Sequence, residues 1–368
     1  MLDWSHWATL LAIILIIWIS ARLLLSGPSL RAYDAPPGDS GTRMRAQASA
    51  EHQQTLQVLQ QASMEIRAAP RKERLAAIRR VMARGFCEPA LLAGDTAYTV
   101  RTVDAGGVAG EWVLAPHADP ERRLLYLHGG SFLSGCARGH RVITSELARV
   151  TGAAVLALDY RLMPECPRRA MHEDCQAGYR WILEHGPEGA GPARELFVAG
   201  DSAGGSLALL LVAWARDQGL PAAHGVIALS PSVDLTFSSP TLRSNLDSDH
   251  MLGPSLRGFL RLPRTLRLLL MWAINRIPPA DPRVSPVFGD LSGLPPLLIQ
   301  VSEAEMMLGD AQRYVHKARA AGCNAELQSW PELLHVWHLF APILPEAQDA
   351  FARIAQFVQR CGTLRSAG

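Results

Sequence analysis

The stretch Phe197-Val198-Ala199-Gly200-Asp201-Ser202-Ala203-Gly204-Gly205 decides the fold of this 368-residue chain. The apolar residues 196–199 predict a short buried strand, and the run 206–215, rich in Leu, Ala and Val, predicts a helix directly after it. The turn between them has the pattern Gly-x-Ser-x-Gly, where a side chain at Gly200 or Gly204 would collide with the neighbouring backbone. We therefore expect Ser202 to be held above the edge of a sheet, beside free N–H groups that can stabilise a developing oxyanion.

Strand and helix patterns alternate on both sides of this turn. The alternation is typical of an α/β fold with a mostly parallel central sheet and helices on both faces, which we assign to residues 96–365. The predicted strands are 98–103, 110–114, 124–127, 154–158, 196–199, 225–229, 297–301 and 325–329. The predicted helices after residue 140 are 141–150, 171–183, 206–215, 310–321 and 346–358.

Residues 1–25 depart from a plain globular pattern. No charged residue occurs from Trp7 to Ala21, and an apolar run continues after Arg22. With Arg22 extended toward the headgroups, the run is long enough to cross a bilayer, so we predict an N-terminal helix that anchors the protein in a membrane. A signal peptide for export is the alternative, and a helix buried in the globular domain is a third interpretation. The arginines at or after the end of the run favour a cytoplasmic body: Arg22, Arg31, Arg43 and Arg45.

The next two segments differ in composition. Residues 26–50 are rich in Gly, Pro, Ser and Ala, lack an apolar period and are predicted to be a linker. Residues 51–95 are predicted to be helical, because apolar residues recur at helical spacing between 54 and 83, and Pro70 divides them into two helices.

Charge and cysteine content exclude some classes of function. The net charge of +2 provides no basic surface for nucleic acid. The six cysteines show no paired spacing, so we predict no metal cluster and no disulfide framework. No metal or organic cofactor is implied.

A second pair of glycines, in His128-Gly129-Gly130, directly follows the predicted strand 124–127. Successive glycines let backbone N–H groups approach a substrate oxygen closely. We predict an oxyanion hole formed by the N–H groups of Gly129, Gly130 and Ala203, and we expect His128 to brace this loop rather than act as a base.

A nucleophilic serine needs a base, and the base needs a carboxylate that orients it. Among the five histidines after Ser202, His335 and His338 lie in the loop after the last predicted strand, where a base belongs, and we choose His335. The other three, His224, His250 and His316, lie before a strand, in an insertion and inside a helix. Three acids follow the strand 297–301, and spacing alone leaves the choice open: Glu303, Glu305 and Asp310.

Four motifs together resemble the hormone-sensitive-lipase-like (family IV) branch of the α/β-hydrolases, over about residues 95–360. They are His128-Gly129-Gly130, the segment from Asp159 to Glu165 (DYRLMPE), Gly200-Asp201-Ser202-Ala203-Gly204-Gly205 and His335-Val336-Trp337. The resemblance implies an α/β-hydrolase fold with a helical cap, formed by residues 51–95 and an insertion at about 237–280. It also implies Glu305 as the acid and Asp310 as the later acidic residue that opens the next helix, although many members have Asp where this chain has Glu305.

The resemblance implies a serine hydrolase that acts on carboxylic ester bonds, with Ser202 as nucleophile, His335 as base and Glu305 as acid. The expected substrates are short- to medium-chain apolar esters, cleaved through an acyl-enzyme, with lactones and lipid-like esters as further candidates. An amidase or deacetylase with the same triad is one alternative, and a non-catalytic ligand-binding member of the fold is another. The expected partners are a small-molecule ester and, through the N-terminal helix, a membrane.

The insertion at 237–280 mixes apolar residues with arginines, and Pro263 splits it. One interpretation is a pair of amphipathic helices packed over the core. The other is a cap that lines an apolar acyl pocket and also touches the membrane surface.

Overall fold

A central sheet of nine strands organises the part of the chain that the structure describes, which is residues 4–34, 41–44, 47–86 and 98–366 of the computed structural model. The strands are β1 (Thr42–Arg43), β2 (Thr99–Asp104), β3 (Ala109–Leu114), β4 (Asp119–Leu127), β5 (Ala153–Leu158), β6 (His185–Gly186), β7 (Gly189–Ala190), β8 (Glu195–Asp201), β9 (Gly225–Leu229), β10 (Leu297–Ser302) and β11 (Ala325–Trp330). The sheet order is β1-β11-β10-β9-β8-β4-β5-β3-β2, while β6 and β7 form a separate small hairpin.

The sheet is mostly parallel, as predicted. Each pair from β1 through β11, β10, β9, β8 and β4 to β5 is parallel. Only the pairs β3–β5 and β2–β3, at one edge of this sheet, are antiparallel. Because the main strands are parallel, their carboxyl ends lie at one edge, where loops from several strands can meet.

Helices cover both faces of the sheet, as predicted from the alternating pattern. They are α1 (Trp4–Leu25), α2 (His52–Ala68), α3 (Arg74–Arg84), α4 (Arg141–Thr151), α5 (Arg168–Glu184), α6 (Ala203–Asp217), α7 (Thr241–Ser244), α8 (Gly253–Leu260), α9 (Arg264–Asn275), α10 (Leu308–Ala320) and α11 (Pro345–Ser366). Strand β4 shows the two-sided burial directly. Leu125 and Leu127 pack in one hydrophobic cluster with α5, α6 and α10, and Leu124 and Tyr126 pack in another with α4 and α11.

The predicted strands and helices after residue 98 are all present, with shifted ends. Strand β4 begins at Asp119, whereas the sequence predicted a start at residue 124. The earlier start was missed because the first residues of the strand are polar and carry no strand pattern. Helix α11 continues to Ser366, beyond the predicted end at 358. The predicted division of the earlier helical segment at Pro70 is also present, between α2 and α3, whereas residues 87–95 of that segment lie outside the described part.

The N-terminal segment is helical and packs on the insertion. Ala21 and Leu25, at the end of α1, are buried together with Leu268 of α9. Among the residues that the structure describes, no helix is sufficiently long and apolar to traverse a bilayer. A helix that crosses the membrane therefore stays a prediction from the sequence.

The residues directly after α1 lie against the body, although the sequence indicated a linker over 26–50. Leu30 is buried, and Asp34 forms an ion pair with Arg313 of α10, at 2.6 Å between Oδ1 and Nε. A Cβ on Gly27 would lie 2.6 Å from the Cβ of Ala280. The remainder of that predicted linker includes β1, which pairs with β11, and residues 35–40 and 45–46, which lie outside the described part.

Candidate active site

Ser202 lies in a strained turn between β8 and α6. Its φ of 50° is in the left-handed region, which is unfavourable for a residue with a side chain. A Cβ on Gly200 would lie 2.4 Å from the carbonyl oxygen of Gly204, and a Cβ on Gly204 would lie 1.9 Å from that of Leu127. Both positions therefore require glycine, as the sequence pattern predicted, and the turn aims the Ser202 side chain away from the sheet.

His335 and Glu305 complete a chain of hydrogen bonds that starts at Ser202. The Nε2 atom of His335 lies 2.9 Å from Ser202 Oγ, and its Nδ1 atom lies 2.5 Å from Glu305 Oε2. Both His335 and Glu305 are buried, and each comes from a loop that follows a strand, β11 and β10 respectively. Three residues far apart in sequence thus form a Ser-His-carboxylate chain of hydrogen bonds, a geometry in which a serine can act as a nucleophile.

The two other acids that the sequence left open lie elsewhere. Glu303 forms an ion pair with Arg43 and accepts a hydrogen bond from the Ser329 hydroxyl. Asp310 accepts hydrogen bonds from the backbone N–H groups of Val233 and Asp234. Only Glu305, among these three acids, contacts His335.

Three of the four remaining histidines after Ser202 make structural contacts. His338 Nε2 lies 2.8 Å from Gln300 Oε1, and burial lowers the pKa of its imidazole to about 3, so this ring is neutral. His316 contacts the Tyr33 carbonyl, and His224 contacts the Leu196 N–H. His250 is exposed in the insertion.

The charge on the acid changes the basicity of His335. Burial by itself would lower the pKa of the imidazole, but the Glu305 carboxylate opposes this effect, and the pKa of His335 lies above its ordinary value of 6.5. A raised pKa strengthens His335 as a proton acceptor, provided that the solution pH is high enough to keep the ring neutral.

Side chains from the insertion hold the loop that carries Glu305. Asn245 donates from Nδ2 to the carbonyl oxygens of Glu303 and Glu305, at 2.8 and 2.9 Å. Asp249, which is buried, accepts a hydrogen bond from the Met306 N–H at 2.9 Å. Sequence reasoning missed both residues, because nothing in the local pattern indicates which loop they contact.

Ser230 was also missed by sequence reasoning. Its hydroxyl donates to Glu305 Oε1 at 2.7 Å and accepts a hydrogen bond from the Val336 N–H at 3.2 Å. The Ser302 N–H donates to the same carboxylate oxygen at 2.6 Å. The oxygen of Glu305 that faces away from His335 is therefore fully engaged, which fixes the carboxylate in one orientation.

The glycine loop after β4 requires one correction to the predicted oxyanion hole. The Gly129 N–H donates to Asp201 Oδ1 at 2.8 Å, so it is already engaged and is not a free donor. The N–H groups of Gly130, Ser131 and Ala203 have no hydrogen-bond partner within the described residues. Ser131 was not predicted as a donor, because the sequence pattern of two successive glycines indicated Gly129 and Gly130 instead.

Asp201, the residue before Ser202, locks the glycine loop in place. In addition to the Gly129 N–H, it accepts a hydrogen bond from the Tyr126 hydroxyl at 2.5 Å. Burial would raise the pKa of Asp201, but the nearby His140 and the Tyr126 hydroxyl outweigh that effect and lower it. Asp201 is therefore ionised and able to hold a backbone N–H strongly.

The DYRLMPE segment (residues 159–165) braces the same loop from the other side. The Tyr160 ring stacks on His128, with 4.2 Å between ring centroids, and its hydroxyl donates to the His128 carbonyl. Burial lowers the pKa of His128 to about 3, so this histidine is neutral and supports the loop, in agreement with its predicted bracing role. Arg79 of α3 donates to the Leu133 and Met163 carbonyls and pairs with Glu165, which joins the N-terminal helices to the loop.

A cavity of about 870 Å³ lies apart from these groups, among α5, α6 and residues 277–291. Ser202, His335 and Glu305 do not line it. The site described above is therefore defined by its hydrogen bonds and not by this cavity.

Comparisons with known proteins show what the chain is similar to. A family model described as the alpha/beta hydrolase fold matches residues 124–339, which is more than half of the chain. An acetyl-hydrolase of Streptomyces hygroscopicus is 38% identical over 257 residues, covering 70% of this chain and 81% of that protein. The carboxylesterase/phospholipase LipF of Mycobacterium tuberculosis is 35% identical over 273 residues, covering 71% of this chain and 69% of that protein. A solved esterase of the bacterial hormone-sensitive lipase family is 34% identical with a TM-score of 0.71, covering 86% of this chain and 99% of that one.

Proposed function

The chain belongs to the hormone-sensitive-lipase-like esterases of the α/β-hydrolase family, and from that premise we propose that Ser202, His335 and Glu305 are its catalytic triad. The enzyme is a carboxylic ester hydrolase. The observation that carries the proposal is the unbroken chain of contacts from Ser202 Oγ through both ring nitrogens of His335 to Glu305. We further propose that its substrates are short- to medium-chain apolar esters.

The reaction begins with a proton transfer. His335 Nε2 accepts the proton of Ser202 Oγ while that oxygen attacks the ester carbonyl, and the imidazolium that forms is stabilised by Glu305. The resulting oxyanion is held by the free N–H groups of Gly130, Ser131 and Ala203. Each donor of this kind contributes about 10²- to 10³-fold to the rate.

The second half of the reaction regenerates the enzyme. The imidazolium of His335 gives its proton to the departing alkoxide, which leaves as an alcohol, and the acyl group stays on Ser202. A water molecule then loses a proton to His335 and attacks the acyl-enzyme. The imidazolium returns that proton to Ser202 Oγ as the carboxylic acid is released.

A cap over the acyl side of the site is part of the proposal. Leu256 and Phe259 of α8 pack in one cluster with Met306 and Met307, which directly follow the acid. The acyl chain of a bound ester would therefore meet apolar side chains from the insertion.

A location at a membrane, with the catalytic domain on the cytoplasmic side, stays a prediction from the sequence. It is supported by the charge-free run from Trp7 to Ala21 and by the arginines at its end.

The test of catalysis is hydrolysis of p-nitrophenyl esters from acetate to palmitate by the full chain and by Ser202→Ala. We expect the substitution to lower kcat by about 10³-fold or more, because it removes the nucleophile but no buried contact that maintains the fold. The acyl-chain length that gives the highest kcat/KM measures the length of the acyl pocket. A folded wild-type protein whose turnover does not exceed that of Ser202→Ala would instead favour the ligand-binding or amidase alternatives.

A further inference from the structure

Helix α1 and helix α9 of the insertion together expose a large apolar surface. On α9, Leu266, Leu270 and Ile274 recur every four residues along one exposed side, and Trp272 is 47% exposed. On α1, the exposed apolar side chains include Trp4, Trp7, Leu15, Trp18, Ile19, Leu23 and Leu24, the last two 76% and 73% exposed. Exposed apolar surface of this extent indicates an interaction site.

The two helices form one surface because their buried sides pack together. Ala21 and Leu25 of α1 contact Leu268 and Leu269 of α9. The chain after α1 is fixed to the body through buried Leu30 and through the ion pair between Asp34 and Arg313. The end of α1 is therefore held in a defined position next to α9, and we call this combined surface the α1–α9 surface.

The charge around this surface differs sharply from that of the rest of the chain. Residues 4–33 and 250–280 contain seven arginines and no aspartate, glutamate or lysine. Since the whole chain has a net charge of +2, the remaining residues carry a net charge of −5. Five of the seven arginines are exposed: Arg22, Arg31, Arg261, Arg264 and Arg276.

We propose that the α1–α9 surface docks on an anionic lipid bilayer. Apolar side chains with several tryptophans suit the boundary between acyl chains and headgroups, and surrounding arginines suit acidic headgroups. The Arg22 guanidinium lies 4.9 Å from the centre of the Trp18 ring, which places a cation directly beside an interfacial aromatic group. Docking on the bilayer surface does not require any helix to cross it.

Docking would bring the catalytic centre close to the lipid. Helix α8, which precedes α9, packs against Met306 and Met307, next to Glu305. Esters that partition into the bilayer would then reach the enzyme by lateral diffusion. The docking proposal itself rests on the exposed surface and its charge, and it holds whether or not the triad assignment is correct.

The test is flotation of the full chain with vesicles of phosphatidylcholine alone and of phosphatidylcholine mixed with phosphatidylglycerol. We expect binding to the mixed vesicles, little binding to the neutral ones, and release at high salt. The triple substitution Leu270→Ser, Trp272→Ser, Ile274→Ser is expected to weaken binding by about tenfold or more, because it removes three exposed apolar side chains. Met64→Ser is the matched control, since Met64 is also exposed but lies on α2, and it should bind as the wild type does.

Two charge-reversal substitutions together test the electrostatic contribution to vesicle binding. Arg261→Glu with Arg264→Glu should weaken binding to the mixed vesicles by about tenfold, whereas Arg353→Glu on α11 should not. All variants should hydrolyse water-soluble p-nitrophenyl acetate at the wild-type rate, which reports separately on the fold and on the triad. The proposal is overturned if the triple variant floats like the wild type, if neither vesicle is bound, or if the surface instead mediates lipid-independent self-association that the triple substitution abolishes.

Discussion

Ser202 and the His335–Glu305 pair meet at one point, but different kinds of interaction hold them there. Ser202 is positioned by backbone packing within residues 200–204, where two glycines allow a turn that no side chain could enter. Glu305 and His335 are positioned by side-chain hydrogen bonds from distant segments, through Ser230, Asn245 and Asp249. The position of Ser202 is therefore a property of the α/β core, whereas the position of Glu305 also depends on the insertion.

This difference predicts how each half of the site fails. Steric damage at the nucleophile turn should affect the fold and the activity together. Loss of a hydrogen bond at the acid should change activity and its pH dependence with a smaller effect on stability. The following substitutions test these two expectations by measuring stability and activity separately.

The largest effect is expected from Gly204→Ala. The added Cβ would lie 1.9 Å from the Leu127 carbonyl oxygen, a backbone atom that cannot move without displacing β4. We expect a loss of about 3 kcal/mol or more in the free energy of unfolding and at least about a 100-fold fall in kcat/KM. Thermal unfolding and p-nitrophenyl butyrate hydrolysis would measure both quantities.

Gly258→Ala is the matched control for this steric argument. Gly258 lies within α8, and an added Cβ there would meet no atom within 4 Å. We expect activity to be preserved and stability to change by no more than about 1 kcal/mol, on the favourable side. Equal damage from Gly204→Ala and Gly258→Ala would show that the turn is not sterically determined.

The next effect in size is expected from Glu305→Gln. Removing the carboxylate should lower kcat by about 10²- to 10⁴-fold, because the imidazolium loses its stabilising charge. It should also lower the pKa of His335, which the carboxylate raises above 6.5 in the wild type. Activity requires the neutral imidazole, so the acidic limb of the pH profile of kcat/KM should move to lower pH.

Glu303→Gln is the control for that shift. Glu303 is a neighbouring acid on the same loop, but it contacts Arg43 and Ser329 and not His335. Its pH profile should keep the wild-type acidic limb. An acidic limb that stays in place in Glu305→Gln would mean that His335 is not the group whose ionisation the profile reports.

The smallest effect is expected from Asn245→Ala. This substitution removes two hydrogen bonds to the backbone of the acid loop while leaving Glu305 itself unchanged. We expect kcat to fall by about 10-fold, because a misplaced carboxylate orients His335 less well, while KM and the midpoint of thermal unfolding change little. Arg243→Ala, an exposed position two residues earlier in α7, is the control and should leave kcat unchanged. A fall in stability without any change in kcat would assign Asn245 a purely structural role.

The local features of the site followed from the sequence, because they depend on neighbouring residues. The Gly-x-Ser-x-Gly turn, the strand before it and the helix after it lie within about twenty residues, and sterics alone restrict their conformation. The α/β class followed for the same reason, since each strand and helix has its own period. His335 was also predictable, because it follows the last strand and the carboxyl ends of parallel strands lie together.

Contacts between distant segments needed the tertiary structure. The choice among Glu303, Glu305 and Asp310 depends on which carboxylate faces His335. All three acids lie within a few residues of the end of β10, so their distance along the sequence cannot distinguish them. The prediction that the Gly129 N–H is a free oxyanion donor was wrong for a similar reason. This N–H donates to Asp201, and the pattern of two glycines does not show where that carboxylate lies. The sequence determined the class of fold and indicated Ser202 and His335, because short-range sterics and periodicity encode the turn and the strands. Only the tertiary structure decided which of the three carboxylates contacts His335, which N–H groups are unpaired within the described residues, and how α1 packs on α9, because each depends on segments that folding alone brings together.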